Sequence, residues 1–181
     1  MDHRVSDAEL LPTIENLLHA AEWTFATLTH VACVTGPGGF TSLRIAVTLA
    51  NTLSDQLGIP LTGVHLSDVY AARVTGGQRP ATSGQIFWLH STKAHEVFVR
   101  EMGSAKTQWT EPTHMTMEDL DRLLPKTFSW CGELLPAHQQ VIAERGGAAQ
   151  ATAPLMSVLP DIVRSLSYAK PPVLPWYGRG W

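Results

Sequence analysis

The chain has 181 residues, 44% of them apolar and 16% charged, with six Trp and a formal net charge of −3 from 13 Lys+Arg against 16 Asp+Glu. That length suits one domain or two small lobes, and the apolar share rules out disorder as a global description. No run of five basic residues occurs. A chain that grips nucleic acid unaided is therefore disfavoured, because neutralising phosphates supplies most of such affinity.

The opening MDHRVSDAELLP carries acids and no apolar leader core, and no stretch approaches the ~18 apolar residues needed to cross a bilayer. The expected location is the cytoplasm, with no membrane partner. Cys33 and Cys131 sit in separate apolar segments without C-x-x-C spacing, and read as buried free thiols.

In chain order, Ser6-Asp7-Ala8-Glu9 has the capping-box pattern and starts a helix with Leu10, Ile14, Leu17, Leu18 and Ala21 on one stripe. Pro12 lacks the N–H that a helix interior uses, so this helix is expected to begin late or bend near residue 12. Val31–Thr35 is a β-prone run that ends in Gly36-Pro37-Gly38-Gly39. A second helix follows, with Thr41 or Ser42 as N-cap, and stops at Gly58 and Pro60. It has two apolar strips: Leu43, Val47, Ala50 and Leu53 form one, while Ile45, Ala46 and Leu49 lie off it. Leu61–His65 is the next strand, making residues 31–65 a β-loop-α-β unit. A third helix runs from Ser67-Asp68 to about Val74, before the Gly76–Pro80 patch that divides the chain into lobes 1–75 and 76–181. In the second lobe, Gln85–Ser91 and Glu96–Glu101 read as a hairpin, Thr116–Leu124 as a helix, Lys126–Trp130 as a strand and Pro154–Leu166 as a helix. Pro171, Pro172 and Pro175 predict an extended tail.

Candidate chemistry centres on Gly36–Ala46, GPGGFTSLRIA. A glycine-rich loop between strand and helix lets bare N–H groups converge on an anion, here with Gly36, Gly38, Gly39, Thr41, Ser42 and Arg44 as the candidate set. It lacks both the Gly-Lys-[Ser/Thr] ending of a P-loop and the G-x-G-x-x-G spacing, so a tight packing turn is the competing explanation. Arg44, on the first turn of this helix, is expected either to join a surface or lobe-bridging ion pair with a carboxylate or to cover an anion. The eight histidines show no i, i+4 pair, and neither H-E-x-x-H nor G-x-S-x-G occurs. Ser167-Tyr168-Ala169-Lys170 matches S-x-x-K, a pattern short enough to arise by chance. Trp88, Trp130, Trp176 and Trp181 read as core or interface aromatics. The two apolar strips of the second helix, together with the apolar first helix, exceed what two strands can cover. Part of that surface is expected to meet another chain.

GPGGFTSLRIAVTLANTLSDQLGIPLTGVHLSDVYAA resembles the TsaB (YeaZ) family, whose hallmark is close to GPGSFTGLRIG followed by a helix, LGIPL and a strand. The resemblance implies an α/β, two-lobed actin-like (RNase H-like) ATPase fold. It also implies a non-catalytic scaffold role beside a TsaD-like transferase, in the complex that forms threonylcarbamoyladenosine in tRNA. A TsaE-like ATPase joins that assembly, and a homodimer through the same helices is an alternative pairing. The implied interface comprises Leu10, Leu11, Ile14, Leu17 and Leu18 on the first helix and Leu43, Ala46, Val47 and Ala50 on the second. No catalytic residue, metal or cofactor is expected, and direct tRNA binding is left to other subunits. The transferase's H-x-x-x-H is absent from the sequence. The family opens with a strand meander around an Asp-Thr-Ser turn whereas this chain starts at the first helix, so the first lobe is expected to be N-terminally truncated. Gly39 and Ser42 stand where Ser and Gly are usual, and His90-Ser91-Thr92 where an Asp-Ala-Arg-like segment is common. Both changes weaken the alternative of a nucleotide-binding or ATP-hydrolysing protein that uses Gly36–Ser42 to hold ATP or ADP.

Overall fold

The computed structural model describes residues 6–75, 85–102, 109–170 and 172–178. Two compact units emerge, one formed by Met1–Val64 with Leu166–Trp176, the other by His65–Ser165 with Tyr177–Trp181.

In the first unit, the Ser6 backbone N–H and hydroxyl both donate to one carboxylate oxygen of Glu9, at 3.0 and 2.7 Å. This closes a 3-10 turn that runs into α1 (Leu10–Ala20). Pro12 is the third helical residue, where the N–H has no intrahelical acceptor anyway, so it neither delays nor interrupts the helix. α1 closes on Glu22, whose φ of 58° puts a non-glycine residue in the left-handed region. There Glu22 N–H donates to His19 O at 3.0 Å and Trp23 N–H to Leu18 O at 2.8 Å, the paired bonds of a Schellman stop.

β1 (Val31–Gly36) and β2 (Leu61–His65) make a two-stranded sheet, with α2 (Phe40–Leu57) between them in the chain. The N-cap of α2 is Gly39, not Thr41 or Ser42, because the helix begins at Phe40 and Leu43 N–H already bonds Gly39 O at 2.9 Å. Gly58, at φ 64°, ends it.

The proline-rich tail is structural. Asn51 clamps Val173 from both sides, its Nδ2 donating to Val173 O and its Oδ1 accepting from Val173 N–H, each at 2.9 Å. Leu61 pairs with Ala169, and Trp176 N–H donates to Thr35 O at 2.7 Å. A Cβ at Gly36 would lie 2.3 Å from Trp176 O, so only glycine admits this return of the chain.

The second unit holds α3 (Leu66–Thr75) and a five-stranded sheet in the order β5-β4-β3-β6-β7. Its strands are β3 (Ile86–Lys93), β4 (Glu96–Met102), β5 (Thr113–Thr116), β6 (Phe128–Glu133) and β7 (Gly147–Ala149). β3 pairs antiparallel with β4 and parallel with β6, and is buried through its first six residues as a central strand should be. On one face Phe87, Leu89, Val97, Val99 and Phe128 form the core with Leu120, Leu124 and Ile142. Leu120 lies on α4 (Met117–Leu123) and Ile142 on α5 (Pro136–Glu144).

The boundary differs from the expected division at residues 75/76. α3 belongs with the second unit because Tyr70 donates to Glu133 at 2.8 Å, and Arg73 exchanges bonds with Ala153 just before α6 (Leu155–Ser165). The Gly76–Pro80 patch lies outside the described residues.

Replacing Glu22 by Gly should raise stability by roughly 1 kcal/mol, the cost of holding an L-residue left-handed. Urea denaturation would read this as a higher midpoint with unchanged slope. A lower midpoint would mean that the Glu22 side chain contributes more than its backbone strain removes.

Candidate functional site

No residue of α1 is fully buried. Leu10, Ile14 and Leu18 are half-covered, while Leu11 is exposed and Leu17 is 65% exposed. Trp23, just past the helix, is exposed as well. On α2 the expected strip divides differently. Leu43, Val47 and Ala50 are 8%, 2% and 5% exposed and belong to the unit's own core, so they offer a partner nothing; Ala46 is half-buried. The physical reason is geometric. Leu43, Val47, Ala50 and Ser54 lie on one stripe, and a helix packed onto its sheet turns that stripe inward.

The open side of α2 is the second strip. Phe40 and Thr41, Arg44 and Ile45, Thr48 and Leu49, then Thr52 line a groove of about 520 Å³. Phe40 is 59% exposed, and the Arg44 guanidinium lies over its ring, 5.4 Å from the centroid. Only Arg44 and the out-of-strip positions of Ile45 and Leu49 signalled this face in the sequence.

The glycine loop divides by role. Gly36 accommodates the returning tail. A Cβ at Gly38 or Gly39 would meet nothing within 4 Å, and Thr41 and Ser42 are exposed. Arg44 lines the α2 groove.

The second unit contains a serine–histidine pair that sequence spacing did not single out. Ser67 Oγ lies 2.7 Å from His65 Nδ1, and the Ser67 N–H donates to the same nitrogen at 3.1 Å. A nucleophile needs a route to substrate, and Ser67 has none: it is fully buried, with Arg100 donating to its hydroxyl at 2.8 Å. The pair ties the first turn of α3 to His65. Burial, chiefly, pushes the His65 imidazole down to about 4 and also lowers His90, which stacks on Trp88 at 5.8 Å and 4°.

Cys131 is buried, its thiol pushed up to about 12, whereas Cys33 is only partly covered. Ser167 and Lys170 are both exposed on the returning tail. Among the described residues, no group of three or more His, Cys, Asp or Glu side chains could hold a metal, and no helix is long and apolar enough to cross a membrane.

Residues 3–144 match the family profile described as TsaD: tRNA N6-adenosine threonylcarbamoyltransferase. The tRNA threonylcarbamoyladenosine biosynthesis protein TsaB of Buchnera aphidicola subsp. Schizaphis graminum is 32% identical over 88 residues, 44% of this chain and 42% of that protein. TsaB of Bacillus subtilis is 36% identical over 62 residues, 34% of this chain and 27% of the relative. The chain thus spans about two fifths or less of the length of these curated relatives. Among solved structures, YeaZ from Pseudomonas aeruginosa superposes with a TM-score of 0.63 at 18% identity, covering 90% of this chain and 78% of its own. A further structure, described by its similarity to the peptidase YeaZ, gives 0.66 at 19%, covering 95% and 83%. The fold is the mixed α/β, actin-like (RNase H-like) one expected.

Because His65 and His90 are held low when folded, the unfolded chain binds more protons below the ordinary histidine value of 6.5. Stability from these groups is complete above about 6.5 and falls as pH drops towards about 4. Urea midpoints measured across this window should decline with acid. His65→Asn should flatten the decline, and an unchanged slope in that variant would refute the assignment.

Proposed function

Because the chain belongs to the TsaB (YeaZ) family, within the wider TsaD-type profile, we propose that it is a scaffold subunit of the machinery that forms threonylcarbamoyladenosine in tRNA. It binds a TsaD-like transferase through α1 and the outer strip of α2. The observation that carries this is the uncovered apolar surface: α1 has no buried residue, and Phe40, Ile45 and Leu49 line an open groove. Exposed apolar area rimmed by polar residues is the ordinary mark of a protein-binding face.

In this role the chain supplies no reacting group and holds no cofactor. The glycine loop gives Gly36 to packing, and the Ser67–His65 pair is sealed from substrate. The TsaE-like ATPase enters as a component of the assembled complex, tRNA contact falls to the other subunits given the net charge of −3, and the work is done in the cytoplasm. A second copy would compete for the same apolar face.

The test is association of the purified chain with the TsaD-like subunit of the same organism. Leu17→Glu, at an exposed position, should weaken binding by about 30-fold or more, ~2 kcal/mol, as hot-spot truncations do, with the circular dichroism spectrum unchanged. Val47→Glu is unsuitable, since a charge on that 2%-exposed side chain unfolds the unit. Unchanged affinity of Leu17→Glu would refute the role of α1. Calorimetric titration with magnesium and ATP should give no binding heat, and tight binding would return the glycine loop to consideration as a nucleotide site.

A further inference from the structure

We infer that Arg44 selects the partner by taking a carboxylate from the helix that fills the α2 groove, an inference that rests on the docking role proposed above. The groove runs from Phe40 to Thr52, twelve residue steps along α2. At 1.5 Å per residue this is about 18 Å, the footprint of a helix of three or so turns. Thr41, Thr48 and Thr52 are short side chains that let another backbone approach, while Ile45 and Leu49 offer apolar contact.

Arg44 is the exception in this lining. It is exposed, and its guanidinium is steadied over the Phe40 ring at 5.4 Å. Among the described residues the ion pairs are made by Lys93, Arg100, His114, Arg122, Arg145 and Arg164, and no carboxylate pairs with Arg44. In water this costs nothing. Once a partner covers the groove, however, the guanidinium loses its hydration, and a desolvated cation without a counter-charge opposes binding. The occupant that fits is a helix with apolar knobs for Ile45 and Leu49 and an Asp or Glu facing the first turns of α2. The planar guanidinium meets a carboxylate through two parallel hydrogen bonds, which a lysine cannot reproduce.

The experiment compares wild type, Arg44→Glu, Arg44→Lys and Thr48→Trp for affinity to the TsaD-like subunit by calorimetry, with self-association followed by light scattering. Arg44 and Thr48 are both exposed, so the variants keep the core. Thr48→Trp fills the groove and should abolish binding. Arg44→Glu should weaken it by about 100-fold and Arg44→Lys by about 10-fold, as expected for a desolvated pair. An acid-to-arginine change on the partner helix should restore affinity to Arg44→Glu. If Thr48→Trp abolishes binding but Arg44→Glu stays within about threefold of wild type, the groove stands and the carboxylate inference falls. If Thr48→Trp binds normally, the docking role of α2 falls and this inference with it. If Arg44→Glu disrupts only a homodimer, the carboxylate belongs to a second copy, and the assignment to the transferase partner is overturned.

Discussion

A helix laid on a sheet can turn one stripe of side chains inward, and α2 has apolar residues on two. Leu43, Val47 and Ala50 occupy the inward stripe and are buried, which leaves Phe40, Ile45 and Leu49 on the outside with Arg44 among them. The direction of α2 decides which surface is available, and the sheet decides the direction. Everything proposed for this chain as a binding partner follows from that orientation, since α1 adds to the same unit an amphipathic helix of which no residue is fully covered.

The orientation is itself held by the returning tail. Asn51 projects from α2 to bond both backbone groups of Val173, and Trp176 N–H reaches Thr35 at the end of β1. Gly36 sits where that tail passes, and any side chain there would strike the Trp176 carbonyl. A loop that resembles an anion cradle in composition is thus partly explained by close passage of backbone, which demands glycine as strictly as a phosphate does.

Much of the fold was legible in the sequence because local signals agreed with tertiary ones. The strands at 31–36 and 61–65, the helix between them and its Gly58 stop carry β-branched runs, periodicity and a left-handed cap in their expected places. β5, β7 and α5 were not legible: the two strands are four and three residues long, and pairing with β4 and β6 makes them strands rather than any pattern of their own. The unit boundary escaped because α3 is assigned by Tyr70 and Arg73 reaching residues 63 and 80 positions away, contacts that local composition does not carry. For the candidate site, spacing showed two strips on α2 but not which one faces inward. That choice is made by the sheet and by the returning tail, whose Val173 binds Asn51 from 122 positions away in the sequence.

The incomplete cover of α1 has an energetic consequence for assembly. A helix of eleven residues is marginal in water by itself, and most helical stability in proteins comes from packing of the apolar face. Leu10, Ile14 and Leu18 receive only part of that packing within the first unit, and Leu11 and Leu17 receive little. A partner that covers these side chains therefore contributes to folding and binding in the same step, and by mass action the unit is more stable in its presence. In the proposed complex, the binding energy available at the α1 surface would be divided between ordering the helix and holding the partner, whereas α2, already anchored by Leu43, Val47 and Asn51, would bind as a preformed surface. On physical grounds, specificity is better carried by the rigid helix than by the marginal one, and the rigid helix is the one that bears Arg44.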